Sequence, residues 1–157
     1  STPSNSSAAS DVYKRQIQRQ ELFDWSKEED EQIRYYSGTA VYKTTFRWKS
    51  KVKEDQQVYL NLGKVCDLAT VRVNGIDCGT IWTAPYRADI TAALKKGVNE
   101  LEIEVTNTWA NALKGADEGK APFDGIWTNA KYRRAENTLL PAGLLGPLNF
   151  DVANKNK

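Results

Sequence analysis

Short segments in which apolar and polar residues alternate, separated by turn residues, constrain the fold of this chain more than any other feature. Leu101, Ile103 and Val105 alternate with three glutamates, which predicts a strand with one buried face and one acidic, solvated face. Residues 40–48 alternate in the same way and place their aromatic side chains together on one face. With no alternation of strands and long helices, this pattern predicts an all-β, antiparallel β-sandwich.

Turn and helix signals agree with a strand-rich fold. Asn74-Gly75 predicts a type I′ hairpin turn, because that turn needs positive φ at both central residues. The return strand is expected to run from Ile76 toward Trp82. Helical signals are short: Ser26 to Glu29 has the spacing of a capping box, and residues 89–96 suffice for one or two turns.

Length and charge bound the domain count and the classes of partner. A chain of 157 residues has room for one well-filled core and is too short for two ordinary domains. Lys and Arg number 22 against 20 Asp and Glu, a net charge of +2 that does not point to a nucleic-acid partner. Apolar runs fall short of the roughly 18 residues that suggest a membrane span. We therefore expect a monomer without a nucleic-acid or membrane partner.

Both ends of the chain differ in composition from its middle. Residues 1–16 begin rich in Ser, Ala and Asn, continue with a short basic stretch, and lack the apolar segment of a secretion signal. We expect a disordered tag or scar over 1–20, one domain over 21–153 and a tail over 154–157. Since the chain contains no Met, it reads as a piece of something larger or as a processed product.

Residues for independent catalysis are not evident. The chain has no His, which removes the commonest general base, and without it a Ser or Cys triad has no proton acceptor. Cys66 and Cys78 are predicted to be two separate thiols, since the hairpin register sets them apart. Asp117, Glu118 and Asp124 fall in one irregular segment, but nothing marks two of them as a catalytic pair. The expectation is a non-catalytic domain.

Four segments together resemble a known family. These are YYSGTAVYKTTF (35–46), LNLGKVCDLATVRVNGIDCGTIWTAPYRADIT (60–91), GVNELEIEVTNTWANAL (97–113) and LLPAGLLGPL (139–148). Their order and spacing resemble the C-terminal β-sandwich of secreted bacterial glycoside hydrolases of family 106, the α-L-rhamnosidases, and the jelly roll of family 2 β-galactosidase-like enzymes. That family often has Arg after the Asn of its TN-x-W-x-N segment, whereas Ala112 follows Asn111 here.

The resemblance implies a galactose-binding-like jelly roll that accompanies a separate catalytic domain in its parent enzyme. It further implies a secreted, periplasmic or cell-surface location. Two functions follow: a carbohydrate-binding accessory domain, or a structural domain that packs on the catalytic domain without binding sugar.

Two groups of residues combine aromatic faces with polar side chains, as sugar binding requires. The first is Trp82, Tyr86 and Arg87 around Pro85. Its alternative is that both aromatic rings pack between the sheets while Arg87 pairs with Asp89.

The second group lies in the irregular segment between 107 and 142. Its candidates are Asn107, Trp109, Asn111, Asp117, Trp127 and Tyr132. We expect at least one of its tryptophans to be exposed; the alternative is that one of them plugs an end of the sandwich. Trp25 and Trp48 are predicted to belong to the core.

Calcium is a further possibility, since jelly rolls of this type often carry it, and Asp67, Asp77 and Asp89 are available ligands without a clustered spacing. No metal site is assigned, and no other cofactor is expected.

Overall fold

Antiparallel strands make up most of the computed structural model, which describes residues 15–120, 127–129 and 138–155. The strands are β1 (Thr39–Trp48), β2 (Gln56–Asn61), β3 (Lys64–Cys66), β4 (Leu68–Val73), β5 (Ile76–Ile81), β6 (Arg87–Asp89), β7 (Gly97–Thr106), β8 (Gly143–Gly146) and β9 (Asn149–Asn154). The helical elements are a 3-10 turn (Trp25–Lys27), α1 (Glu31–Arg34) and α2 (Ala110–Asp117). No helix in these ranges has the length and apolar character needed to cross a membrane.

The strands form three antiparallel sheets. One has the order β1-β7-β4-β5, the second β6-β2-β9, and β3 pairs with β8 in the third. Leu60 from β2, Val71 from β4 and Ile103 from β7 belong to one apolar cluster between the first two sheets, and each is at most 1% exposed. The predicted all-β antiparallel fold is confirmed.

The hairpin and the acidic strand follow their sequence patterns. Asn74 and Gly75 have φ angles of 52° and 78°, the positive pair that a type I′ turn requires. In β7, Glu102 points outward. One of its carboxylate oxygens lies 3.1 Å from the Lys43 ammonium and the other lies 3.1 Å from the Arg72 guanidinium. Hydrogen bonding to the neighbouring Lys43 lowers the pKa of the Glu102 carboxyl. The acidic face is therefore a cross-strand ion network on the solvated side of the sheet.

The two cysteines are free thiols, as predicted. Cys66 ends β3 and is buried, whereas Cys78 lies in β5 and is half-buried. Burial raises the pKa of both thiols, so the thiolate form that acts as a nucleophile is disfavoured at each.

The first helical turn begins two residues earlier than the capping-box spacing predicts. Asp24, rather than Ser26, is its N-cap: the Asp24 carboxylate accepts hydrogen bonds from the Ser26 amide at 3.0 Å and hydroxyl at 2.7 Å. The same oxygen accepts from the Ala142 amide at 3.0 Å. Asp24 is the N-cap because its carboxylate accepts hydrogen bonds both from this turn and from Ala142, the residue before β8. The predicted turn after Asp89 does form, with the Ile90 carbonyl accepting from Leu94 at 3.0 Å.

Trp25 fixes the N-terminal segment to the sandwich. It is 4% exposed, its indole Nε1 donates to the Tyr42 hydroxyl at 2.8 Å, and the Leu144 amide donates to that same hydroxyl at 3.1 Å. Burial raises the pKa of the Tyr42 phenol, which therefore remains neutral at neutral pH. Trp48 is half-buried against Phe150, with ring centroids 5.4 Å apart. Both tryptophans contact the core, as predicted.

Replacing Tyr42 by phenylalanine is expected to lower the free energy of unfolding by about 2 kcal/mol, because two N–H donors lose their acceptor in a part-buried setting. The measurement is urea unfolding followed by Trp fluorescence. Tyr59→Phe is the matched control, since no hydrogen bond of the Tyr59 hydroxyl occurs among the described residues. Equal losses in the two variants would contradict this role for Tyr42.

The structure reaches further toward the N-terminus than the predicted boundary at residue 21. The Arg15 guanidinium lies 2.6 Å from the Asp30 carboxylate, and the Arg19 guanidinium lies 2.8 Å from the Glu28 carboxylate. The Arg19 guanidinium also lies 5.1 Å from the centroid of the Phe23 ring. Contacts with the domain therefore begin before residue 21.

Helix α2 is absent from the sequence-based prediction, which treats 107–142 as irregular. The buried face of α2 is formed by Asn111, Ala112 and Gly115. A Cβ on Gly115 would lie 2.7 Å from the Tyr35 ring, so the helix packs closely only because this side chain is missing. Small and amide side chains on the buried face give no apolar periodicity, which is why the helix escapes detection.

Candidate functional site

One end of the four-stranded sheet collects most of the predicted site residues. Thr106 at the end of β7 pairs with Leu68 at the start of β4, and Ala69 pairs with Ile81 at the end of β5. Two strand spacings place Thr106 about 10 Å from Ile81. Trp82 follows Ile81 directly, and Trp109 follows Thr106 by three residues. We call this region, with the 82–86 loop and the start of α2, the loop end of the sandwich.

Trp82 is 74% exposed, so the alternative in which it packs between the sheets is wrong. β5 stops at Ile81, and the next residues form the loop that leads to β6. Because the strand ends one residue before Trp82, the indole has no facing sheet to bury it. Tyr86, at the far end of the loop, is half-buried and packs against the core. Of the two aromatic residues, only Tyr86 follows the packed alternative.

Arg87 is directed at a ring rather than at an acid. Its guanidinium carbon lies 4.5 Å from the centroid of the Tyr59 ring, a cation–π distance. Asp89 instead accepts a hydrogen bond from the Thr91 amide at 3.0 Å. The Arg87–Asp89 ion pair of the alternative interpretation is therefore not formed, although both side chains lie on the exposed face of β6.

The amide groups of Asn107 and Asn111 are both engaged by backbone. Asn107, 9% exposed, donates to the Tyr36 carbonyl at 3.0 Å and accepts from the Gly38 amide at 2.8 Å. Asn111, 3% exposed, donates to the Leu140 carbonyl and accepts from the Leu140 amide, both at 2.8 Å. These two asparagines hold the chain on either side of Trp109 in place. The sequence analysis predicts both as carbohydrate-binding residues, whereas in the structure both side-chain amides bond to backbone groups.

Ala112, which stands where the resembling family often has Arg, is fully buried, and its amide donates to the Ser37 hydroxyl at 3.1 Å. A guanidinium has no room at this position in the packing that α2 adopts here.

The remaining candidates divide between exposed positions and undescribed ones. Trp109 is 59% exposed and Trp127 is 77% exposed, so the expectation of an exposed tryptophan in this segment is confirmed. Asp117 is exposed at the end of α2. Tyr132, like Asp124, lies outside the described residues.

A polar group on the outer face of the three-stranded sheet was not singled out from the sequence. Asn61 in β2 pairs with Arg87 in β6 and with Asn149 in β9. Its amide nitrogen donates to Asn149 at 2.8 Å and to the Asp151 carboxylate at 2.6 Å. The signal was present in the alternation of Tyr59 and Asn61 with the buried Val58 and Leu60. These side chains extend the polar surface from the loop end onto the sheet.

The three aspartates considered for calcium accept hydrogen bonds from backbone amides, those of Asp77 and Asp89 being local. Asp67 accepts from the Thr108 amide at 3.0 Å, Asp77 from the Gly79 amide at 2.7 Å, and Asp89 from Thr91. Across the described ranges, no three His, Cys, Asp or Glu side chains form a group that suits a metal ion. Asp67 has a clear structural task, since it holds the chain that leads from β7 to Trp109.

Chemically, the loop end offers wide apolar ring faces beside hydrogen-bonding groups on a surface open to solvent. Trp82 and Trp109 provide the rings, while Arg87, Asn61 and Asn149 provide donors and acceptors. Such a surface can bind a flat, amphipathic ligand through stacking and hydrogen bonds.

Fold and surface together define the class: a β-sandwich domain with a galactose-binding-domain-like fold. The chain belongs to the glycosyl hydrolase 2 galactose-binding domain-like family, whose model matches residues 3–138. This confirms the resemblance inferred from the four sequence segments.

Several larger proteins contain a region that is similar to this chain. A rhamnosidase from Novosphingobium sp. PP1Y contains a region that is 44% identical and superposes with a TM-score of 0.73, covering 82% of this chain. A Formosa agariphila protein named "Putative beta-glucuronidase" is 40% identical over 84% of this chain. The β-glucuronidase of Ruminococcus gnavus is 26% identical over 53% of this chain and 14% of its own, with a TM-score of 0.47.

This chain spans only a small part of those proteins. It covers 12% of the Novosphingobium rhamnosidase and 13% of the Formosa protein. The sequence thus corresponds to a domain region of larger glycoside hydrolases.

Proposed function

We propose that this domain is a non-catalytic carbohydrate-binding module that holds glycan at the loop end for its parent glycoside hydrolase. The observation that carries the proposal is the exposure of three tryptophans, Trp82 at 74%, Trp109 at 59% and Trp127 at 77%. Exposing so much indole is costly in water unless a ligand or partner covers it. The apolar face of a pyranose is such a partner.

The polar groups near the rings support the same function. Arg87 lies on Tyr59, so its planar guanidinium is held in one orientation, and its N–H groups remain available to hydroxyl or carboxylate oxygens. The backbone contacts of Asn107 and Asp67 fix the chain that presents Trp109. A surface fixed before binding loses less entropy when it binds a ligand.

The second candidate is a structural domain whose loop end docks on the catalytic domain of its parent. It is favoured by the same exposed indoles, since tryptophan is enriched at protein interfaces, and by the large remainder of each relative that this chain does not cover. In that case the isolated chain binds no glycan.

A titration separates the two candidates. The chain is titrated with rhamnose-containing oligosaccharides and plant cell-wall polysaccharides while Trp fluorescence and NMR shifts are recorded. Carbohydrate binding predicts a saturable response, whereas the docking function predicts none with any glycan. The Novosphingobium enzyme is a rhamnosidase, which makes rhamnose-containing glycans the first choice of probe.

Trp82→Ala and Trp109→Ala are each expected to weaken glycan binding about fivefold, because each removes one stacking surface worth about 1 kcal/mol. The measurement is the dissociation constant from the same titration. Ile76→Ala is the matched control: Ile76 is an exposed apolar side chain, 50% accessible, at the hairpin turn away from the loop end. Unchanged affinity in both tryptophan variants would place the binding surface elsewhere.

The resemblance also supports a secreted or cell-surface location for the parent enzyme. Fractionation of the producing cells tests this, and recovery in the cytoplasm alone would contradict it.

A further inference from the structure

A cleft of about 430 Å³ lies away from the loop end and is lined chiefly by lysines. We call it the basic cleft. Its cationic side chains are Lys51, Lys53, Lys95, Lys96 and Lys155.

Strand directions place the basic cleft at the opposite end of the sandwich from Trp82. Residues 51–56 follow the end of β1 and enter β2, and residues 91–96 connect β6 with β7. Lys155 follows the last residue of β9. The loop end is formed at the other ends of these strands, where β2 finishes and β6 begins. The two surfaces are therefore separated by the length of the strands.

Hydrogen bonds fix the backbone that carries these lysines. The fully buried Asn99 accepts from the Lys95 amide at 2.9 Å and donates to the carbonyls of Lys95 and Gly97 at 2.8 and 3.1 Å. The Lys155 amide donates to the Asp55 carbonyl at 2.7 Å, and the Lys53 amide donates to the Gln56 side chain at 3.2 Å. The walls of the cleft are formed before any ligand arrives.

The charge of the cleft is concentrated and weakly compensated. Glu54 is the one acid among its lining residues, and within the described part of the chain none of the five lysines forms an ion pair. The whole chain carries a net charge of only +2, so the cleft holds a local excess of positive charge. Like charges so close together repel, and an anion that binds between them relieves the repulsion.

The floor of the cleft is apolar. Val52 and Leu94 line it, and both are half-buried against the core cluster. An apolar floor with an ammonium rim suits a ring that has an apolar face and an acidic substituent. Protein interfaces are depleted in lysine, which argues against an acidic protein as the occupant.

We propose that the basic cleft is a second binding surface, independent of the loop end, for an anionic polysaccharide whose sugars carry carboxylate or sulfate groups. The ring faces lie on Val52 and Leu94, and the acidic groups lie between the lysine ammoniums. Lysine is a compact cation that binds such groups without a fixed geometry, so the cleft recognises charge spacing rather than one particular sugar.

The experiment measures binding of three polymers to the full chain at low salt by NMR: polygalacturonate, dextran sulfate and neutral dextran. Shifts at residues 51–56 and 91–96 are expected with one or both anionic polymers and not with neutral dextran. Comparing polygalacturonate with dextran sulfate tells which acidic group is preferred. Adding NaCl should weaken the binding, because salt screens exposed charges.

The test variant is Lys95→Gln/Lys96→Gln, which is expected to weaken polyanion binding about tenfold. The control Lys27→Gln/Lys120→Gln also removes two positive charges, but from exposed lysines outside the cleft. It should change the affinity for the polyanion little. Equal losses in both double variants, or equal affinity for single-stranded DNA of the same charge, would overturn the proposal, since either result means unspecific attraction. Trp82→Ala should leave this binding unchanged, which keeps the result separate from the function of the loop end.

Discussion

Gly63→Ala is expected to cost about 4 kcal/mol of the free energy of unfolding, the largest loss that we predict for a single substitution in this domain. Gly63 connects β2 with β3, has a φ angle of +64°, and forms an isolated bridge with Gly146. A Cβ there would lie 2.7 Å from the Pro147 nitrogen and would overlap the Gly146 carbonyl. Since the obstructing atoms are backbone, no side-chain rotation relieves the clash.

Thermal unfolding followed by circular dichroism measures this loss, and for a chain of this size about 4 kcal/mol corresponds to a Tm decrease of roughly 10 °C. Gly119→Ala is the matched control. Gly119 has nearly the same φ angle, +68°, but a Cβ on it would meet no atom of the described residues within 4 Å. The control carries the cost of a left-handed alanine alone, about 1 kcal/mol. If both variants lose equal stability, the close contact between Gly63 and the Gly146 backbone adds nothing to the cost of the Gly63→Ala substitution.

The strands could be predicted from the sequence because burial in this fold is imposed on alternate residues. In β7, Leu101, Ile103 and Val105 are 5%, 1% and 0% exposed, and the glutamates between them point outward. The Asn74-Gly75 turn could be predicted because few residue pairs accept two positive φ angles. In both cases a local rule and the tertiary structure impose the same requirement.

Helix α2 and the first turn could not be predicted in the same way, because distant contacts determine them. α2 buries Ala112 and Gly115, and the partner of Gly115 is Tyr35, eighty residues earlier in the chain. Asp24 caps its turn while also accepting from Ala142. No window of local sequence contains such partners.

The candidate site could be predicted only in part, because residue type does not reveal which way a side chain points. Trp82 continues the apparent strand pattern, yet β5 ends one residue earlier and leaves its ring exposed. An asparagine amide serves backbone or ligand equally well, and Asn107 and Asn111 serve backbone. The basic cleft was missed because its lysines come from two separate connections and from the residue after β9.

Asn99→Ala is expected to cost about 3 kcal/mol of the free energy of unfolding, because the side chain is fully buried and satisfies four polar groups. Its amide oxygen accepts from the Asn74 side chain at 2.8 Å and from the Lys95 amide, and its nitrogen donates to two carbonyls. Alanine removes all four of these hydrogen bonds and leaves a cavity, and the Asn74 amide nitrogen keeps only its bond to the Ala93 carbonyl. Urea unfolding measures the loss. Asn154→Ala, at an exposed position on β9, should stay within about 0.5 kcal/mol of the parent.

Asn99→Ala also links the stability of the turn region to the basic cleft. The lost hydrogen bonds are those that hold residues 95–97, so amide hydrogen exchange at Lys95 should accelerate more than exchange in the central strand β4. Both lysine charges remain, and therefore any weaker binding of an anionic polymer by the folded variant reports the loss of a fixed backbone rather than of charge. Unchanged exchange at Lys95 would mean that the loop is held by other contacts, and the role assigned to Asn99 would be wrong.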